Sequence, residues 1–191
     1  MSLFEVDLPP GLIYVSSWLS TEEQDLAVAE VDSHEFETTL TRRVQHYGAR
    51  YDYFATEVLE VGSAPEIPPQ LQIIGERLFA EGYFAKTPDQ VIVNEYLSDQ
   101  GIAAHIDRIS FGPAVATVSL LESWPMQFAG INDEKIEVLL ESRSLAVMTN
   151  ESRYKWTHGI AKRKSDPVGG LRVQRKRRLS LTYRTILNTK L

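Results

Sequence analysis

The chain has 191 residues, 43% hydrophobic and 24% charged, enough for one domain with a real core and the balance of an ordinary globular protein. It has no cysteine, which excludes disulfides, zinc–thiolate sites and cysteine nucleophiles. A formal net charge of -6 argues against indiscriminate coating of nucleic acid, although residues 162–178 are strongly basic with Asp166 their only acid, and binding follows the local field.

The N-terminus, M-S-L-F-E-V-D-L-P-P, carries neither a basic n-region nor a long apolar run. No segment approaches the roughly 18–20 apolar residues that cross a bilayer. A cytoplasmic monomer without a membrane partner is expected. Residues 9–19 hold a short strand around Ile13, Tyr14 and Val15. Ser20-Thr21-Glu22-Glu23 is a capping box that starts a helix, with Leu26 and Ala29, and Val28 near them, on its apolar side. Residues 42–54 (R-R-V-Q-H-Y-G-A-R-Y-D-Y-F) are dense in Arg, His and Tyr. They read either as an exposed hairpin whose tyrosines pack on the core or as a surface that stacks bases and pairs with phosphate.

A Pro-rich link, A-P-E-I-P-P, leads into a helix over 70–81, with Leu71, Ile74 and Leu78 at helical spacing and Gly82 at the C-terminal cap position. From residue 88 the pattern changes to short runs at 91–97, 104–108, 115–121, 126–128, 136–140, 145–148 and 179–186. Strands at this spacing, after helices, predict a mainly β, α+β fold: a sandwich or barrel with helices on one face. The basic stretch around D-P-V-G-G reads as a long mobile loop between two core strands.

The chemistry gathers around N-E-Y-L-S-D-Q-G-I-A-A-H-I-D, residues 94–107. His105 and Asp107 are two apart and share one face if the segment is a strand. They make two-thirds of a 2-His-1-carboxylate triad, which holds Fe(II) and leaves coordination positions open. Of the three other histidines, His158 in K-W-T-H-G-I lies near a predicted strand that can return across the sheet; its alternative is a core histidine beside Trp156. In the last strand, R-L-S-L-T-Y-R, Arg178, Ser180, Thr182 and Arg184 share the face opposite Leu179, Leu181 and Tyr183. Two arginines on one face need anions, either a small dicarboxylate or internal acids, unless they lie at exposed strand ends. Asn94 and Tyr96 share a face and offer an amide and a phenol to a polar cofactor. These parts together describe an Fe(II) site beside a pocket for a dicarboxylate such as 2-oxoglutarate, with O2 as co-substrate.

P-D-Q-V-I-V-N-E-Y, G-I-A-A-H-I-D, S-R-Y-K-W-T-H-G-I and R-L-S-L-T-Y-R, in this order, resemble the AlkB family of Fe(II)/2-oxoglutarate-dependent dioxygenases. The similarity runs from about residue 42 to 186, and E-S-R-Y-K-W-T-H-G-I and R-R-V-Q-H-Y-G most resemble the oxygenase domain of its tRNA-modifying member. The resemblance implies a double-stranded β-helix (jelly roll, cupin-like) with supporting N-terminal helices, in one domain over 1–191. It implies a metal and cofactor core over about 88–187 and a substrate lid over about 40–55. It implies His105, Asp107 and His158 as iron ligands, and Asn94 and Tyr96 as contacts to 2-oxoglutarate. Arg178 would pair with the distal carboxylate and Arg184 would lie near the carboxylate at the iron. Arg43, Tyr47 and Tyr53 would meet the substrate, a modified nucleobase in alkylated DNA, RNA or tRNA that is demethylated or hydroxylated. A protein or small-molecule substrate is the alternative. Ile109 stands two residues past the metal aspartate, where many nucleobase-repair members carry a carboxylate.

Overall fold

The computed structural model of the chain describes residues 7–52, 57–58, 61–132, 134–168 and 170–187; Tyr53, one of the expected lid residues, lies outside them. The elements run β1 (Leu12–Val15), α1 (Thr21–Asp32), β2 (Arg43–Tyr47), β3 (Tyr51–Asp52), β4 (Glu57–Val58), α2 (Pro69–Ala80) and β5 (Gln90–Tyr96). They continue with β6 (Ile102–His105), β7 (Phe111–Leu121), β8 (Trp124–Ala129), β9 (Lys135–Leu140), β10 (Leu145–Met148), α3 (Asn150–Tyr154), β11 (Thr157–Ile160), β12 (Ser165–Val168), β13 (Leu171–Gln174) and β14 (Arg178–Ile186).

Alternation on β14 explains the layering. Its neighbours in an antiparallel six-stranded sheet, ordered β1-β10-β7-β14-β5-β2, are buried strands on both sides. Leu179, Leu181 and Tyr183 project to one face and pack with Val91, Val93 and Val118 against Ala27 and Val31 of α1 and Leu71, Ile74 and Leu78 of α2. The other face looks toward a four-stranded sheet, ordered β6-β11-β8-β9. Between the sheets lies a second core, in which Trp124, Met126, Phe128, Val138 and Leu140 meet Tyr96, Val115, Ala146 and Met148. A one-residue slip of β14 would turn Arg178 and Arg184 into the helix layer, so the two cores fix its register. Two facing antiparallel sheets, the larger backed by N-terminal helices, form a double-stranded β-helix.

The first helix starts as its sequence dictates. Glu23 N–H donates to Ser20 Oγ at 3.1 Å, and Ser20 N–H donates to Glu23 Oε2 at 2.7 Å. Ser20→Ala leaves one of these amides without its partner and should lower stability by about 1 kcal/mol, read as a lower urea midpoint at an unchanged m-value. Its buried face differs from the expected one: Ala27 and Val31 are fully buried, while Leu26 is 47% exposed. Leu26 and Ala27 are adjacent, 100° apart on the helix, and the contact with α2 and the sheet selects the smaller of the two. The second helix buries Leu71, Ile74 and Leu78, and the Tyr183 hydroxyl donates to the Leu71 carbonyl at 2.9 Å, tying helix to sheet.

The basic stretch is not a loop. β12 and β13 form an antiparallel hairpin with Ser165 opposite Gln174 and Asp166 opposite Val173. Its single acid is its hub, since Asp166 is buried and bridges Arg163 at 2.5 Å and Arg175 at 2.6 Å. Arg163 before the hairpin and Arg175 after it thus converge on one carboxylate.

Candidate metal centre and cosubstrate pocket

The smaller sheet builds the first part of the site. β6 and β11 pair with His105 directly opposite His158, and the two imidazole centroids lie 4.4 Å apart. Gly159 permits this approach. A Cβ there would stand 2.9 Å from the Ala104 backbone and 3.0 Å from the Ile102 carbonyl, closer than a side chain tolerates. His105 Nδ1 sits 2.9 Å from the Ala103 carbonyl, which can only accept, so Nδ1 carries the proton and the Nε2 lone pair is left for a metal.

Asp107 reaches the site differently from the expected same-strand alternation. The strand ends at His105, and Asp107 is buried in the loop that leads to β7. Its Oδ1 pairs with Arg184 Nη2 at 2.5 Å, and its Oδ2 lies 3.5 Å from His158 Nε2. Burial would raise the Asp107 carboxyl, but the Arg184 guanidinium, the largest of the nearby charges, outweighs it and holds the group below the usual carboxylate range. Burial also pushes the His158 imidazole down to about 4, so it stands neutral as a metal ligand must. One ligand atom from each of His105, Asp107 and His158 falls within 4.8 Å of the others. Asp107 Oδ2 and His158 Nδ1 are buried without a hydrogen-bond partner.

Beside the triad a cavity of about 440 Å³ opens between the sheets, lined by Asn94, Tyr96, Ser180, Thr182 and Arg184 among others. Asn94 Oδ1 accepts from Arg42 Nε at 2.8 Å, and the Tyr96 ring packs 5.8 Å from that of Trp124. Burial raises the Tyr96 phenol above its ordinary value, so it stays protonated. Arg178 begins the same β14 face; it is fully buried and is not among the residues that line the cavity, its guanidinium 5.6 Å from the centre of the Tyr96 ring. It donates from Nη2 to Ser119 Oγ at 2.7 Å, but Nε and Nη1 have no partner, and no acid among the described residues pairs with it. Burial draws its pKa down to about 10. Arg184 does find an internal acid, Asp107; Arg178 does not.

Two of the expected substrate residues are not brought to this site. Arg43 lies opposite Glu95 and Tyr47 opposite Val91, and both project into the helix layer. Arg43 pairs with Glu95 and lies over the Phe36 ring at 4.7 Å. Tyr47 is a core residue whose hydroxyl donates to Gln45 Oε1 at 3.1 Å, and burial pushes it up to about 12. The segment does reach the cavity, through Arg42 and Tyr51. Of the two readings of this segment, tyrosines on the core or a base-stacking surface, the core one holds for Tyr47, because the β2–β5 register sends 43, 45 and 47 to the helices. Ile109 is 82% exposed and does not line the cavity.

A profile of the 2OG-Fe(II) oxygenase superfamily matches residues 11–184. The chain belongs to that superfamily. Within it the chain is AlkB-like. It is 38% identical over 170 residues to the mouse tRNA (carboxymethyluridine(34)-5-O)-methyltransferase ALKBH8, covering 84% of this chain but 26% of that protein. It is 30% identical over 214 residues to the Arabidopsis thaliana "alkylated DNA repair protein ALKBH8 homolog", covering 98% of this chain and 62% of that one. The solved structure of OsALKBH1 superposes with a TM-score of 0.67 at 20% identity, covering 94% of this chain and all of that one, which shows the shared fold.

The superfamily uses Fe(II), 2-oxoglutarate and O2, and the residues present fit the first two. A divalent cation among the triad would satisfy the orphaned Asp107 oxygen, and a carboxylate would satisfy the orphaned Arg178 donors. When bound, iron and 2-oxoglutarate supply the activation of O2 and the oxidation of substrate. Membership of this superfamily makes the chain an oxidoreductase.

Proposed function

We propose that this oxygenase oxidises a substituent on a nucleobase of DNA or RNA, tRNA included, removing an N-methyl group as formaldehyde or leaving a hydroxyl group. His105, Asp107 and His158 hold the iron. Arg178 takes the distal carboxylate of 2-oxoglutarate, Asn94 and Tyr96 hold its chain, and Arg184 stands beside the carboxylate at the metal while keeping Asp107 ionised. One observation carries the substrate reading. The wall of the cavity beside the triad includes the Tyr51 ring and the guanidinium-bearing Arg42 and Arg108. A flat aromatic face with cationic side chains beside it suits a splayed-out base and its phosphate. The names of the mouse and Arabidopsis relatives, one tRNA-directed and one DNA-directed, support the same class.

Ile109 favours a second reading. Its aliphatic side chain, two residues past Asp107, cannot accept a hydrogen bond from the exocyclic amine of a base. Mass spectrometry separates the two. Nucleosides from total tRNA and from alkylated DNA, after incubation with enzyme, Fe(II) and 2-oxoglutarate, should show a species that has gained one oxygen or lost a methyl group. Binding to the same nucleic acid should weaken steeply with salt, with a log–log slope of about -0.7 per phosphate contact on a single strand. Unchanged nucleosides together with salt-independent binding would favour the protein or small-molecule substrate.

A further inference from the structure

Arg153 is 1% exposed on α3, the short helix between β10 and β11; it forms no close ion pair among the described residues, although its charge acts on the Asp107 carboxyl. Its guanidinium is spent on backbone carbonyls instead. Nη1 donates to Asp107 O at 2.8 Å, Nη2 to Arg108 O at 2.6 Å and Phe111 O at 3.3 Å, and Nε to Gly112 O at 3.2 Å. All four carbonyls belong to the segment that leaves β6 and enters β7, the one that carries Asp107. That loop has little ladder of its own: Phe111 N–H donates to Arg108 O at 3.1 Å and Leu187 N–H to Ser110 O at 2.9 Å.

We propose that Arg153 is a positioning residue for the metal centre, a clamp that fixes the Asp107 loop to the helix leading directly into the His158 strand. The two ligand-bearing segments are far apart in sequence, and this side chain spans them. It also places Phe111, whose ring lies 4.4 Å beneath the Arg184 guanidinium, and Arg184 in turn pairs with Asp107. Only arginine offers enough donors in a planar fork to serve four carbonyls; a lysine ammonium directs three donors from one atom. With the clamp gone, buried carbonyls lose their donors and the loop is free to shift, and a metal site tolerates little displacement of its ligands.

The inference rests on the triad holding a divalent metal and not on the identity of the substrate, so it is tested without turnover. Mn(II) binding to the full chain, followed by the loss of the free-ion electron paramagnetic resonance signal, is compared with thermal unfolding of the same metal-free samples. Arg153→Lys should weaken Mn(II) binding about ten- to a hundredfold. Leu78→Ala, a cavity mutation on the helix side of the large sheet, should lower the unfolding temperature and leave Mn(II) affinity at the wild-type value. Methylguanidinium should restore part of the affinity of Arg153→Ala and none to wild type. Wild-type Mn(II) affinity in folded Arg153→Lys overturns the proposal. So does an equal loss of affinity in Leu78→Ala, or an Arg153→Lys protein that does not fold, since either makes the residue a determinant of folding alone.

Discussion

Arg178→Met should raise the KM for 2-oxoglutarate by at least about a hundredfold while making the cofactor-free protein more stable. The two effects have one cause. Arg178 is fully buried, and its one hydrogen bond among the described residues, to Ser119, leaves Nε and Nη1 without acceptors. A buried, unpaired cation is a standing penalty, and replacing such charge by apolar volume often stabilises by roughly 1–4 kcal/mol. The same two donors are what a carboxylate needs. Two charge-assisted hydrogen bonds at about 1.5–3 kcal/mol each give at least about 3 kcal/mol, or two powers of ten in affinity. Denaturation and steady-state kinetics on one preparation read both signs. A lower unfolding temperature with an unchanged KM would mean that Arg178 only supports the fold.

His158→Ala should abolish turnover, by a factor of roughly a thousand or more, through the loss of metal rather than of fold. His158 is buried opposite His105 in a fixed strand register, so no neighbouring side chain can replace it. Its imidazole is neutral and its Nδ1 has no partner, so the metal-free protein forgoes packing but no hydrogen bond at Nδ1. A ligand that binds only the folded state stabilises it by about 2.7 kcal/mol at a hundred times its Kd. Mn(II) at that excess should therefore raise the unfolding temperature of the wild type and leave that of His158→Ala unmoved. An equal shift in both would remove His158 from the ligand set.

Much of the fold was legible because strand alternation and helix periodicity are local. The alternation on β14 assigned Leu179, Leu181 and Tyr183 to one face and the two arginines to the other, and the capping box at Ser20 marked the start of α1. What failed depended on partners distant in sequence. Leu26 and Ala27 could not be ranked without α2 and the sheet beside them. Arg43 and Tyr47 could not be assigned to a face, because only the register of β2 against β5 decides which residues look inward. The His-x-Asp spacing brought the right residues together for a reason that the structure replaces: Asp107 lies off the strand, in a loop closed by Arg153 and Arg184. Arg153 carried no signal of its own, since an arginine in a five-residue helix reads as solvated surface until its four carbonyl acceptors are seen.

The most direct test of the site is conversion of 2-oxoglutarate to succinate by the wild type, Arg178→Met and His158→Ala, assayed together with and without Fe(II). Succinate should form in the wild type only when Fe(II) is present. Arg178→Met should recover it at high 2-oxoglutarate, and His158→Ala should form none at any concentration. Iron-independent succinate, or full activity in His158→Ala, would contradict the assignment of His105, Asp107 and His158 as the metal centre.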